Sequence, residues 1–230
     1  MRRVFASCFA VIAACSFVTV SAQMQETLRK VPGAGIHAAG WKGKADATEK
    51  AATVNDSKFD LNNGEFTIAT APAAIYWNAE NSATGDYTVS ATFAEPEYMS
   101  SNDHPHPYGV FIGGNKLDTD QATLLYCAAY GNGSYIVRGF GPAPFAMGGR
   151  RPGTNAAVKK AEAKGKPVSQ DISMSVKGSR VTCSINGTEV ANYDKAELVG
   201  AGKLESVQGV AGIRVAHNVD VKVTNFKVTK

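Results

Sequence analysis

The most chemically distinctive segment of the chain is Asn102-Asp103-His104-Pro105-His106-Pro107-Tyr108, which holds two of the four histidines. Side chains two residues apart in an extended backbone point the same way, so His104 and His106 could share a metal ion or clamp a ligand, with Asp103 as a third group. No partner motif for a metal is evident among the other histidines or the cysteines. We therefore predict no metal and no other cofactor. We interpret the segment as a proline-stiffened loop that leads into a strand and contributes His104, His106 and Tyr108 to ligand binding.

Aromatic and cationic side chains form a second group of candidate ligand-binding residues. Exposed Trp and Tyr rings stack on the apolar faces of sugar rings, and a guanidinium group binds a hydroxyl or a carboxylate. In a two-layer β-structure many such aromatic residues belong to the core, and an outward arginine is often only solvated, so both alternatives stay open. The candidates from this group are Tyr76, Trp77, Tyr126, Arg138 and Arg214.

The elements that must position these residues are β-strands, because the hydrophobic pattern has a period of two. In the run from Tyr87 to Phe93 every odd position is apolar, while Thr88, Ser90 and Thr92 can meet solvent. The same alternation recurs in 172–176 and in 181–185. Near the C-terminus the alternation slips by one residue, which predicts a β-bulge near Thr224-Asn225.

Turn chemistry supports antiparallel pairing of these strands. Asn-Gly pairs supply the positive φ angles of tight hairpins, and they occur at Asn63-Gly64, Asn132-Gly133 and Asn186-Gly187, with a fourth turn at 177–180. The helical signals are weak, with one short turn after Asp194 as its N-cap and an ambiguous stretch at 156–164. The pattern predicts an all-β fold, an antiparallel two-sheet jelly-roll sandwich.

The N-terminal region is typical of an exported protein. Two arginines, an apolar run and Val20-Ser21-Ala22 indicate a signal peptide over residues 1–22, with cleavage after Ala22 and a periplasmic or secreted product. Lipoprotein anchoring at Cys15 is the alternative. Residues 23–58 are predicted to be an irregular lead-in that Trp41 attaches to the body, and residues 59–230 to form the β-sandwich domain.

Charge and cysteine content of the mature chain narrow the range of partners. After cleavage, 24 minus 2 leaves 22 Lys and Arg against 20 Asp and Glu, a net charge of +2 that gives no reason to expect nucleic acid as a partner. The sequence contains no second apolar run long enough to predict a membrane span. The basic loop 148–153 is not predicted to bind phosphate, because it does not connect a strand to a helix. Cys127 and Cys183 remain, either as a disulfide or as two buried thiols.

The C-terminal half resembles a known superfamily. The run Ile172-Ser-Met-Ser-Val-Lys-Gly-Ser-Arg-Val-Thr-Cys-Ser-Ile-Asn-Gly-Thr-Glu-Val, with Gly209-Val-Ala-Gly-Ile-Arg-Val and Val221-Lys-Val-Thr-Asn-Phe-Lys-Val, resembles the concanavalin A-like lectin/glucanase superfamily. It is especially similar to bacterial secreted domains related to laminin-G and 3-keto-disaccharide hydrolase modules, which share the Asn-Gly hairpin and the Gly-Ile-Arg segment. The resemblance covers roughly residues 59–229.

The resemblance implies two curved sheets that bind sugar on the concave sheet or on its rim loops, and it does not by itself transfer an activity. Retaining glucanases of the superfamily carry alternating carboxylates on one strand, and no Glu-x-Asp-x-x-Glu occurs here. We therefore expect a carbohydrate- or glycoconjugate-binding domain with no catalytic residues. A sugar hydrolase of the 3-keto-disaccharide type and a cell-envelope protein-interaction module are the alternatives.

Overall fold

The structure is a computed structural model that describes residues 27–49 and 52–230. Within these residues sixteen strands follow one another along the chain. Strands β1 to β8 are Gly35–Ile36, Trp41–Ala45, Lys58–Asn62, Glu65–Ala69, Ala74–Ala83, Tyr87–Glu95, Tyr108–Asn115 and Thr123–Ala129. Strands β9 to β16 are Ser134–Phe140, Phe145–Met147, Gly153–Thr154, Val168–Lys177, Arg180–Ile185, Thr188–Asp194, Gly209–Val215 and Asp220–Thr229. Two short helical turns complete the list, a 3-10 turn at Val54–Asp56 and the α-helix α1 at Lys195–Leu198.

The strands form two sheets that face each other. The first sheet has the order β1-β3-β4-β16-β6-β12-β13-β14, and the second has the order β10-β9-β8-β7-β15-β5-β2, with β11 paired to β9. Every pairing is antiparallel except that of β1 with β3. The prediction of an antiparallel two-sheet sandwich is confirmed.

The core lies between the two sheets and follows from the period-two pattern. Along β6 the residues Tyr87, Val89, Ala91 and Phe93 are buried while the intervening residues are more exposed, and β12 shows the same alternation. The second sheet differs, because β8 is buried along its whole length. Its outer face carries a second apolar cluster, so each of its faces excludes water.

The predicted turns and irregularities are confirmed. The three Asn-Gly pairs connect β3 to β4, β8 to β9 and β13 to β14, and Gly178 lies in the tight turn between β12 and β13. The pairing of β16 with β6 shifts register between Thr224 and Lys227, and Asn225 takes a positive φ of 55°, which is the predicted bulge. Asp194 is the N-cap of α1. The stretch 156–164 forms turns and no helix.

The expectation of an irregular lead-in over residues 23–58 is wrong for its described part. Strand β2 pairs with β5 and forms an edge of the second sheet, and β1 joins the first sheet. Trp41 packs against Phe59, Phe66 and Phe226 at centroid distances of 4.8 to 5.4 Å, which confirms that it attaches this segment to the body. The sandwich therefore begins well before residue 59.

A disulfide between Cys127 and Cys183 joins the two sheets. Cys127 lies on β8 of the second sheet and Cys183 on β13 of the first, with 6.0 Å between their Cα atoms. Of the two alternatives for these cysteines, the disulfide is the one that the structure contains. The two residues belong to opposing sheets, and not to neighbouring strands of one sheet.

No helix within the described residues has the length and apolar character that a membrane crossing requires. The predicted signal peptide over residues 1–22, with Cys15, lies outside the described residues.

Candidate functional site

A cavity of about 460 Å³ opens on the outer face of the second sheet, and we call it the groove. Its lining is mainly apolar, with a few charged side chains. Such a combination of apolar surface with a few placed polar groups is typical of ligand sites. The lining comes from the segment 44–48, from the centre of the sheet, and from the segments 120–126 and 138–145: Lys44, Ala45, Asp46, Ala47, Thr48, Ile75, Asp120, Ala122, Leu124, Tyr126, Arg138, Gly139, Phe140, Gly141, Pro142, Pro144, Phe145 and Arg214.

Strand register brings three predicted residues, Tyr126, Arg138 and Arg214, to this one face. Tyr126 on β8 lies directly opposite Arg138 on β9. Arg214 on β15 lies opposite Gly109 on β7, so the neighbouring strand presents no side chain beside it. The Arg214 guanidinium extends across that space, and its Cζ atom lies 5.5 Å from the centroid of the Tyr126 ring and 5.4 Å from that of Phe140. These distances are within the range of a cation–π interaction.

Arg214 is held in place by an ion pair with Asp46. Its Nη1 and Nη2 atoms donate hydrogen bonds to the Asp46 Oδ1 and Oδ2 atoms at 2.6 and 2.5 Å. Burial lowers the pKa of Arg214, but the charge of Asp46 and its hydrogen bonds outweigh burial and leave the pKa above its usual range. The guanidinium is thus a fixed cation in an apolar setting.

Burial also raises the pKa of Tyr126, and the nearby charge of Arg214 opposes that effect. The Tyr126 hydroxyl therefore stays neutral at physiological pH, as a hydrogen-bond donor and acceptor beside the groove.

Opposite walls of the groove have different chemistry. On one side Lys44 donates a hydrogen bond to the backbone oxygen of Thr119 and lies 3.8 Å from the Asp120 carboxylate. The other side is the end of β9 and the turn after it, where Phe140, Pro142 and Pro144 supply apolar surface. Half-buried rings next to charged groups can pack against one face of a sugar ring while its hydroxyls are hydrogen-bonded.

Arg138 lies on β9, two residues before Phe140, and lines the same side of the groove. Its Nη2 atom donates a hydrogen bond of 2.9 Å to the backbone oxygen of Arg150, which belongs to the basic loop 148–153. Its Nε atom is buried and has no hydrogen-bond partner among the described residues. Arg138 therefore keeps an unsatisfied donor beside the groove.

The two predicted histidines lie elsewhere, in a cluster at one end of the second sheet. His106 is buried, and its Nδ1 atom lies 2.7 Å from the backbone oxygen of His217. The Nε2 atoms of His104 and His106 lie 2.9 Å apart, and His104 Nδ1 lies 2.5 Å from Asp103 Oδ1. His217 Nδ1 in turn lies 3.3 Å from Glu49 Oε1.

The segment 46–49 connects this cluster to the groove, because Asp46 contacts Arg214 and Glu49 contacts His217. In the described ranges no group of three or more His, Cys, Asp or Glu side chains is arranged to hold a metal ion.

The structure corrects three of the sequence-predicted site residues. Tyr76 and Tyr108 have no exposed surface, because both strands turn these positions inward to the core between the sheets. Trp77 does point to the outer face, but it is only 4% exposed because it packs within the outer apolar cluster with Phe111 and Leu117. None of the three rings can stack on a ligand.

Sequence reasoning missed several residues of the groove. Asp46 and Lys44 belong to the segment taken for an irregular lead-in, Phe140 ends strand β9 and was not proposed as a site residue, and Pro142 and Pro144 belong to a turn that carried no prediction. The alternation of Trp41, Gly43 and Ala45 with Lys42 and Lys44 is the one signal that could have revealed β2.

Comparison with known proteins identifies the fold. No protein-family model and no curated protein matches the chain. A protein of unknown function with a galectin-like fold from Bacillus subtilis matches with a TM-score of 0.53 at 11% identity, over 82% of this chain and 88% of that one. The fold is a concanavalin A-like jelly-roll sandwich.

Two further solved structures resemble the chain with lower scores. A carbohydrate-binding module from Bacillus subtilis has a TM-score of 0.46 at 9% identity, over 83% of this chain and 96% of that one. Sheep galectin-11, in a complex with glycerol, has a TM-score of 0.43 at 13% identity, over 74% and 100% of the two chains.

Proposed function

We propose that the protein is a non-catalytic carbohydrate-binding domain whose groove holds a sugar, either free or as part of a cell-envelope glycoconjugate. The observation that carries the proposal is the arrangement at Arg214. A fixed guanidinium lies over the rings of Tyr126 and Phe140 at the side of an open cavity. Aromatic and proline surface suits the apolar face of a sugar, and the charged groups suit its hydroxyls.

The absence of a free carboxylate pair supports a binding role over glycoside hydrolysis. Retaining and inverting glycosidases place two carboxyl groups on either side of the bond that they cleave. Of the described residues that line the groove, only Asp46 and Asp120 carry carboxylates. Asp46 is engaged by Arg214 in a two-point ion pair, which leaves Asp120, beside Lys44, as the one carboxylate of this lining outside such a pair.

We also propose that the protein acts outside the cytoplasm after removal of residues 1–22. The disulfide between Cys127 and Cys183 supports this location, because disulfides persist in oxidising compartments. N-terminal sequencing of the product from a bacterial periplasm should begin at Gln23. A product that retains Met1, or one that begins with a lipid-modified Cys15, would contradict the proposed cleavage. We further propose that the protein is related to bacterial secreted laminin-G and 3-keto-disaccharide hydrolase domains, and this proposal rests on the sequence resemblance.

The binding proposal is tested by affinity electrophoresis through gels that contain neutral and acidic polysaccharides. The wild-type protein should be retarded by at least one of them. Phe140→Ala should weaken that retardation about tenfold, because it removes a half-buried ring from the groove. Phe226→Ala is the matched control, since Phe226 is also a half-buried phenylalanine but packs against Trp41. Equal loss in both variants, or no retardation in any gel, would contradict a sugar site in the groove.

A further inference from the structure

The charges that line the groove do not balance. Lys44, Arg138 and Arg214 are cationic, and Asp46 and Asp120 are anionic. Arg214 pairs with Asp46 and Lys44 lies closest to Asp120, so Arg138 is the surplus cation. No carboxylate of the described residues forms an ion pair with it; its one hydrogen bond goes to a backbone oxygen.

The bonding of Arg138 leaves one edge of its guanidinium incomplete. The Nη2 atom donates to the backbone oxygen of Arg150, while the buried Nε atom donates to nothing in the described chain. A buried donor without an acceptor is costly, so a rearrangement of the Arg138 side chain that brings this N–H group to an acceptor on a ligand is favoured. Guanidinium groups match planar carboxylates, which accept two parallel hydrogen bonds from neighbouring N–H groups.

The surroundings of Arg138 add to its positive charge. The loop 148–153 carries Arg150 and Arg151, both exposed, and Arg151 lines a small cavity of about 40 Å³ together with Arg138. Clustered charges of one sign at the end of a cleft raise the local concentration of an oppositely charged ligand. Asp120 is the negative charge of the lining that would repel an anionic ligand, and Lys44 lies 3.8 Å from its carboxylate.

We infer that the groove selects acidic sugars, with Arg138 binding the carboxylate of a uronate residue while Phe140 packs near its ring. This inference rests on the proposed carbohydrate-binding function and names its ligand class. The aromatic neighbours favour a ring that carries the anion over a bare inorganic ion. The planar donor edge of Arg138 suits the two coplanar oxygen atoms of a carboxylate.

The test uses matched ligands. Polygalacturonate and alginate are each compared with the same polymer after its carboxyl groups have been reduced to primary alcohols, and affinities are measured by calorimetry at constant ionic strength. The wild-type protein should bind at least one acid polymer about tenfold more tightly than its reduced form. Arg138→Gln should abolish that difference, because it should lower the affinity for the acidic polymer more than the affinity for the reduced one. Arg180→Gln is the control, because Arg180 is a half-exposed arginine on β13 of the other sheet.

The outcomes separate the two proposals. Equal wild-type affinity for acidic and reduced polymers would overturn the selection of acidic sugars and leave the carbohydrate-binding function standing. A lack of binding to every polymer would refute the carbohydrate-binding function itself. Dextran sulfate distinguishes carboxylate recognition from general attraction of charge, and equally tight binding of it with the same dependence on Arg138 would overturn the carboxylate assignment. Arg138→Lys should recover less than half of the lost selectivity, because it restores the charge without the planar edge.

Discussion

Asp46 and Arg214, 168 residues apart in the chain, form a two-point ion pair with both N···O distances at or below 2.6 Å. The pair joins the segment after β2 to β15 at the centre of the same sheet, and its side chains are only 16% and 8% exposed. A site whose residues lie on β8, β9 and β15 is therefore completed by a carboxylate from near the N-terminal end of the described chain.

The first prediction concerns this ion pair. Asp46→Ala should lower the free energy of unfolding by about 3 to 5 kcal/mol, because it leaves the buried Arg214 charge without a partner. The double variant Asp46→Ala/Arg214→Met should recover most of that loss. Urea denaturation provides the measurement. Glu65→Ala, which breaks an exposed pair with Lys222, is the control and should cost less than about 1 kcal/mol.

The second prediction concerns the disulfide between the sheets. Cys127→Ala/Cys183→Ala should lower the free energy of unfolding by about 2 to 4 kcal/mol, because the bridge constrains residues 56 apart in the unfolded chain. Dithiothreitol should destabilise the wild-type protein by a similar amount. It should have no effect on the double variant, and a reductant effect on that variant would show that the bridge is not the cause.

The third prediction concerns the N-terminal boundary of the domain. Trp41→Ala should cost about 3 to 5 kcal/mol, since it removes a ring that packs among three phenylalanines. A chain that begins at Thr27 should show the same cooperative thermal transition as the mature protein. A chain that begins at Phe59 lacks β1, β2 and Asp46, and should have no such transition. Cooperative unfolding of this shorter chain would restore the boundary at residue 59.

The fourth prediction concerns pH. Burial raises the pKa of the Glu95 carboxyl to about 6, although its Oε1 atom accepts a hydrogen bond from the Met99 N–H. The folded protein therefore binds this proton more tightly than the unfolded chain, whose carboxyl has its ordinary pKa of about 4.5. The free energy of unfolding should fall as the pH rises between these two values, and the loss should be complete above about pH 6.

Glu95→Gln isolates this effect, because the amide keeps an acceptor for Met99 and carries no charge. The variant should be more stable than the wild-type protein by up to about 2 kcal/mol at pH 8. Below pH 4, where the carboxyl is protonated in both states, the two proteins should be equally stable. Glu97→Gln, an exposed neighbour, should change stability by less than about 0.5 kcal/mol at either pH. A wild-type protein that is more stable than Glu95→Gln at pH 8 would refute the prediction.

Much of the sandwich could be predicted from the sequence, because one face of the first sheet is exposed to solvent and its strands therefore alternate polar with apolar residues. Residues such as Ser173 and Thr182 alternate with buried residues and reveal the strands, and the Asn-Gly pairs mark their turns. Strand β2 was not predicted because the central one of its three inward positions is Gly43, which has no hydrophobic side chain. The structure shows why glycine occupies this position, since a Cβ atom on residue 43 would lie only 2.9 Å from the Tyr76 ring.

The groove could be predicted only in part. Tyr126, Arg138 and Arg214 stood out because each is a polar or aromatic residue on an apolar strand, which the period-two pattern can detect. Their burial and their hydrogen-bond partners depend on other segments that pack against these strands, and Asp46, for example, is 168 residues from Arg214 in the sequence. Trp77 points to the same face of the sheet as Arg214, yet the outer apolar cluster covers it. No local sequence pattern distinguishes a solvent-accessible position on this face from a covered one.

The order of the strands has a consequence for biogenesis. Of the sixteen described strands, the two that are synthesised last occupy the middle of both layers, since β15 lies between β7 and β5 and β16 lies between β4 and β6. A nascent chain that lacks these two strands thus has each layer divided into two halves with open backbone edges, which other chains can pair with. A premature stop codon near residue 209 would remove the interior of the protein and not its periphery. Folding only after both strands have been synthesised would avoid exposing these edges for long.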